Sequence, residues 1–182
     1  MGKIEITKKV LGICATNCYT VVDTETKEAL IIDPADRADV LIRDWKDKGV
    51  TPTTVLLTHG HFDHIGALAG VKKEYPEIRV YAAAEEKEVM ESPALNLSSS
   101  FGAAFTAQAD IYLEDGAEIE VLGRKCKCLL VPGHTKGGMC YYFPEEHVVF
   151  TGDTLFCYSV GRTDFPTGDA KALEDAIREK LF

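Results

Sequence analysis

The order of apolar and polar positions divides this chain into stretches of different period. Near the start, "IEITKKV", "NCYTVVD" and "EALIIDP" are rich in β-branched and aromatic residues and read as strands, the last two flanking a "DTETKE" turn. "ADRADVLIRDWKDKG" shifts to helical spacing, with Val40, Leu41 and Trp45 on one side and Gly49 as its stop. "TTVLLT" is a further strand, and "IGALAGVKKEY" reads as a helix running to Tyr75. "IRVYAA" is a short strand and "EEKEVMES" a short helix. From Asp110 the strand pattern returns in "DIYLEDG", "AEIEVLG", "KCKCLLVPG", "MCYYFP" and "HVVFTGD", and "DAKALEDAIREKLF" closes the chain as an amphipathic helix. Strands, helices, many strands and a last helix predict two sheets packed face to face with helices outside, an α/β architecture with mixed sheets.

Between these elements, residues 93–108, "PALNLSSSFGAAFTAQ", are small, irregular and moderately apolar. A loop of this length inside a compact domain is either functional or a surface excursion.

Length and composition narrow the picture. A chain of 182 residues is most simply one domain, spanning 1–182, large enough for a substantial core. A net charge of −9 argues against nonspecific nucleic-acid binding and against an anionic membrane surface. No apolar signal region opens the chain and no run approaches a membrane span, so the expected location is the cytoplasm. Free thiols are the expected state there for Cys14, Cys18, Cys126, Cys128, Cys140 and Cys157. "CKC" at 126–128 puts both thiols on one side of a strand, where simple core packing is the expected role.

One stretch carries chemistry. "THGHFDHIG" sets His59, His61, Asp63 and His64 where a strand ends and a helix begins. His59 and His61, two apart, project to one side of an extended segment. Imidazoles and a carboxylate in this density are ligands for zinc, iron or manganese, and folding alone does not call for them. "VPGHTKGG" adds His134 after a strand, and "VVFTGDT" adds Asp153 at the end of another. Alone, His134 would be a hydrogen-bonded loop histidine and Asp153 a turn cap; the cluster makes both candidate ligands.

In order through "THGHFDH", "PGHT" and "TGD", and over nearly the whole chain, the sequence resembles the metallo-β-lactamase superfamily. "GDTLF" and "GRTDFPTGD" are similar to short glyoxalase II-like hydroxyacylglutathione hydrolases. The resemblance implies an αββα sandwich of two mixed sheets with two divalent metals between them, most simply zinc, with iron or manganese as alternatives. It implies that His59, His61 and His134 hold one metal, that Asp63 and His64 hold the other, and that Asp153 bridges both. A hydroxide held by the metals would attack a small-molecule thioester such as S-lactoylglutathione, with Asp63 and Asp153 as catalytic residues, and the thiolate would leave without much acid assistance. Arg162 stands where family glyoxalases carry a basic residue that contacts the thiol's acidic end; pairing with Asp164 is the other reading of Arg162.

The chain departs from the family pattern at its end. The family's last metal-binding histidine would lie beyond Phe182, and the remaining histidine, His147, is too far from Asp153 along a strand to replace it. The expectation is a chain lacking a C-terminal segment; the alternative is a second site that is weak, or completed by water or a neighbouring subunit. Two rival functions follow: a mononuclear iron persulfide dioxygenase using His59, His134 and Asp153, and a noncatalytic metal-binding domain. The acyl group, the thiol and the oligomeric state are not encoded in any motif.

Overall fold

The computed structural model describes residues 2–182. A first sheet contains β1 (Ile4–Leu11), β2 (Thr16–Asp23), β3 (Glu28–Ile32), β4 (Thr51–Leu56), β5 (Arg79–Ala83) and β6 (Ile111–Leu113), side by side in chain order. β1, β2 and β3 pair antiparallel through short turns, while β3 to β6 run parallel. The parallel half needs crossovers, and helices α1 (Ala38–Asp47), α2 (Phe62–Ile65), α3 (Leu68–Glu74), α4 (Lys87–Glu91) and α5 (Ser98–Phe101) lie in them.

A second sheet contains β7 (Glu118–Val121), β8 (Arg124–Leu130), β9 (Met139–Phe143) and β10 (Val148–Phe150), in the order β10-β9-β8-β7. A small hairpin, β11 (Leu155–Phe156) and β12 (Ser159–Val160), and the helix α6 (Ala170–Lys180) follow. The expectation of two mixed sheets is corrected here: the second is antiparallel throughout. Its strands follow one another without a crossover helix, and a direct return reverses the strand direction.

Side chains alternate across β3 and thereby assign the layers. Leu30 and Ile32 face the second sheet, together with Leu56, Cys126, Cys128, Met139 and Tyr141. Ala29 and Ile31 face the other way, against Leu41 and Trp45 of α1 and Val71 of α3. Each of these fully buried aliphatic side chains contributes about 1.5–3 kcal/mol by leaving water. On the far side, Leu173 and Ile177 of α6 cover Cys140 of β9 and Val131, which follows β8. The order is helices, sheet, sheet, helix, as the succession of strand and helix patterns predicts. Cys126 and Cys128 are free and fully buried between the sheets, the packing role expected of them.

Two local expectations change. The helix expected up to Tyr75 breaks at Gly66 and Ala67 into α2 and α3. Gly66 passes so close to the Ala35 carbonyl that a Cβ there would lie 2.5 Å from its oxygen. "HVVFTGD" forms a strand only over Val148–Phe150; His147 is exposed in the preceding turn with φ 54°, and Asp153 lies in the turn that follows. Among the described residues, no helix is long and apolar enough to cross a membrane.

Candidate metal centre

Four segments that leave strand ends meet at one edge of the sandwich. The turn after β4 brings His59, His61, Asp63 and His64; the loop after β8 brings His134; the turn after β10 brings Asp153; and the end of β3 brings Asp33. Tyr141 fixes the two sheets together just beneath, donating its hydroxyl to the Leu57 carbonyl at 2.8 Å. Gly152, at φ 50°, presses so close to Thr58 that a Cβ would lie 2.2 Å from the Thr58 Oγ1. Glycine is needed there both for the left-handed backbone and for the contact.

The first group is His59, His61 and His134, all buried. His134 Nε2 lies 3.0 Å from His61 Nδ1 and 3.2 Å from His59 Nε2. Hydrogen bonds on the far side of two rings fix which nitrogen carries the proton. His134 Nδ1 donates to the Arg162 carbonyl at 2.7 Å. The Thr58 hydroxyl donates to Asp33 Oδ2 at 2.6 Å, which leaves it to accept from His59 Nδ1 at 3.2 Å. The Nε2 lone pairs of His59 and His134 therefore face each other. Two lone pairs at this distance repel unless a cation lies between them.

The second group is His59, His64 and Asp153. His64 Nδ1 bonds Asp33 Oδ2 at 2.8 Å, and its buried Nε2 has no hydrogen-bond partner. That orphaned nitrogen points between two carboxylates, 3.3 Å from Asp153 Oδ1 and 3.6 Å from Asp63 Oδ2. Asp153 also reaches the first group, with Oδ2 3.8 Å from His134 Nε2. One oxygen faces each group, the disposition of a carboxylate able to bridge two cations. Asp63 stands at the rim of this second group, where its Oδ2 accepts the Thr16 hydroxyl at 2.5 Å.

Electrostatics divides the four imidazoles. Burial and neighbouring histidines hold His59 far below the usual imidazole range and His61 down to about 3; burial lowers His134 as well. These three remain neutral, as a metal ligand must be. His64 goes the other way: burial opposes its charge, but Asp33 and Asp153 overcome it and raise it well above the usual value. A proton thus occupies, in the metal-free protein, the place of a cation. Convergent lone pairs, an orphaned buried nitrogen and a shared carboxylate make a donor set that fits divalent metals.

Several supporting residues carry no motif that marks them. Asp33 sits at φ 50° and binds the Thr58 N–H at 2.7 Å besides Thr58 Oγ1 and His64. The only signal for it is the "IIDP" segment. Glu86, fully buried, accepts the N–H groups of Gly60 and Gly137; in sequence it is one acid among several in "EEKE". Arg162 lines the cavity beside the metal groups, yet its guanidinium is paired through two hydrogen bonds with Asp164 and stacks 3.9 Å from the centre of the Phe165 ring. Of the two readings of Arg162, the structure therefore has the pairing.

The family model described as the metallo-beta-lactamase superfamily matches residues 11–182. The chain belongs to the metallo-β-lactamase superfamily. The hydroxyacylglutathione hydrolase GloC of Haemophilus influenzae is 34% identical over 172 residues, covering 91% of this chain and 79% of that protein. The solved structure of the B3 metallo-β-lactamase BLEG-1 superposes with a TM-score of 0.91 at 38% identity, covering 97% of this chain and 85% of that one. That of TTHA1623 in a di-iron-bound form gives 0.83 at 34%, covering 96% and 85%. In a metallo-β-lactamase fold, the edge where these ligands meet is a place for divalent metal ions.

Proposed function

We propose that this metallo-hydrolase cleaves thioesters at a two-metal centre. The observation that carries the reading is Asp153, which turns one oxygen to His64 and the other to His134, so that the two donor groups share a carboxylate. His59, His61 and His134 are the residues for one metal, Asp63 and His64 for the other. Bound there, divalent metals would supply Lewis acidity and lower the pKa of bound water to about 7. The chain's own residues do the rest. Thr58 and the Arg162 carbonyl keep the protons of His59 and His134 on the nitrogens that face away from the centre. Asp33 does the same for His64. Asp63, tethered by Thr16, orients the attacking water. A thiolate leaves without needing a strong acid beside it.

The relative named as a hydroxyacylglutathione hydrolase supports a thioester. Zinc and iron are both compatible with an N/O donor set of this kind. The test is metal analysis of the purified protein together with hydrolysis of S-lactoylglutathione and neutral acyl thioesters. Metal-dependent cleavage that disappears, with the metal, in His59→Ala is the expected result. A fully metal-loaded protein that cleaves no thioester would end the reading. Turnover of a chromogenic cephalosporin well above that of any thioester would favour the second reading, a β-lactam amide, which the likeness to BLEG-1 supports. The dioxygenase reading uses His59, His134 and Asp153 alone, and iron content with oxygen consumption on glutathione persulfide would favour it.

A further inference from the structure

The cavity that opens onto His61, His134 and Asp153 has aromatic walls. Phe62 and Phe101 stack there with ring centres 4.8 Å apart and planes 14° from parallel. Phe165 stands opposite, 5.8 Å from the His61 ring, and Phe156 contributes a further exposed face. Large apolar rings left open to water beside a reactive centre are costly unless something apolar covers them.

The wall is built rather than incidental. Phe62 lies between His61 and Asp63, so its ring is fixed directly to the ligand-bearing turn. Phe101 comes from the irregular stretch 93–108, and that stretch is keyed to the same turn by Asn96, which is fully buried. Asn96 accepts the Phe62 N–H on its carbonyl at 2.8 Å, donates its amide to the Phe105 carbonyl at 2.9 Å and accepts the Ser98 N–H at 2.9 Å. Leu97, next in the chain, takes φ 67° so that α5 can turn Phe101 over the cavity. Leu97 and Phe101 of the long loop thus line the cavity, while residues 99–104 run exposed over the surface.

The charged side chains of the cavity point the same way. Its acidic groups are Asp63 and Asp153, at the metal end. Its cation, Arg162, is already held by both oxygens of Asp164. Among the described residues, the cavity lining therefore has no free cation for a ligand's carboxylates. A glutathione conjugate carries two carboxylates and would leave both without an ion pair, in a protein of net charge −9.

We propose that this cavity selects thioesters whose non-reacting part is apolar and uncharged, with Phe62 and Phe101 as the recognition surface. The inference takes the thioester reading for the reacting group and specifies what surrounds it. Uncleavable thioethers test it apart from turnover, by calorimetry on the metal-loaded protein. S-(2-phenylethyl)-N-acetylcysteamine should bind about tenfold more tightly than S-methylglutathione, the scale of one well-made aromatic contact. Phe101→Ala should weaken the aromatic probe by a similar factor and leave S-methylglutathione unchanged; Phe101 is 49% exposed, so folding does not depend on it. Asp164→Asn should free Arg162 and tighten S-methylglutathione severalfold. Equal or tighter binding of S-methylglutathione by the unaltered protein, or indifference of the aromatic probe to Phe101→Ala, would overturn the proposal. Absence of all thioester cleavage with this binding preference intact would instead remove the hydrolase reading and leave the recognition surface standing.

Discussion

Glu86 accepts the backbone N–H of Gly60 on Oε2 at 2.7 Å. Its other oxygen accepts the N–H of Gly137 at 2.9 Å. A single buried carboxylate therefore ties the turn that carries His59 and His61 to the loop that carries His134. Gly60 has no room for a side chain, since a Cβ would stand 2.9 Å from Glu86 Oε2 and 2.8 Å from Met90 Cγ.

Glu86→Ala would leave both N–H groups buried and unpaired, each at a cost of about 1–3 kcal/mol. The expected outcome is a lower urea midpoint at unchanged slope for the metal-free protein, and weaker metal binding at the three-histidine group. An unchanged midpoint and unchanged affinity would show that the bridge does nothing.

Why this residue escapes a reading of the sequence is instructive. The ligands announce themselves because His59, His61, Asp63 and His64 are local: their chemistry is concentrated in one turn. His134 and Asp153 are single residues, readable through the short motifs around them. Glu86 acts across 26 residues to Gly60 and 51 to Gly137. An acid in "EEKE" has the composition of a solvated helix face, and only the pairing of distant segments buries it. Asn96 and Asp33 are the same case: their partners are set by tertiary contacts, not by spacing. The layers were legible because the strand patterns, the helical spacing in α1 and their order along the chain are local too. The break between α2 and α3 was not, because the Ala67 N–H there bonds the Pro34 carbonyl of another segment at 2.9 Å.

Asp33 bonds His64 directly and reaches His59 only through Thr58, so its removal should weaken the His64 metal position most. Asp33→Asn tolerates the left-handed backbone but can present an amide N–H toward His64 Nδ1, which already carries a proton. Loss of such an orienting carboxylate costs about 10–100-fold in metal affinity. Stepwise metal titration should show the weaker binding step reduced by that factor and the other much less affected. An equal loss in both steps would mean that Asp33 holds the whole centre and not His64 in particular.

The metal-free protein should be most stable near the ordinary pKa of histidine, about 6.5. Below that pH the unfolded chain binds protons that buried His59, His61 and His134 refuse, so stability falls as pH falls, down to about 3 for His61. Each group adds a slope of up to about 1.4 kcal/mol per pH unit. His64 has the opposite sign. Its raised folded value gives stability that is complete below about 6.5 and is lost as pH rises through that folded value. Three groups act on the acid side and one on the alkaline side, so the acid limb should be the steeper. Urea denaturation in the presence of a chelator across this range checks the shape. Stability that kept climbing from pH 7 to 9 would contradict it.

Cys14 offers a reporter of metal occupancy that does not depend on turnover. It is exposed on the turn between β1 and β2, while the thiols of Cys18, Cys126, Cys128 and Cys140 are buried. Burial raises the Cys14 thiol, and the Asp63 and Asp153 carboxylates raise it further. The thiolate is the form that reacts with an alkylating agent, so in the metal-free protein those carboxylates slow the reaction. Divalent cations held by Asp63 and Asp153 reverse the sign of the local field, because they are then its largest charges. Iodoacetamide should therefore modify Cys14 severalfold faster in the metal-loaded protein than in the chelated one. A Cys157→Ser background removes the other exposed thiol, and mass spectrometry of the Cys14 peptide gives the rate. Unequal loading with Asp63→Asn should shrink the difference, since that carboxylate is both a source of the slowing and a candidate ligand. A Cys14 thiol protected by metal instead of activated would contradict the electrostatic account and make its sulfur a ligand of the second metal.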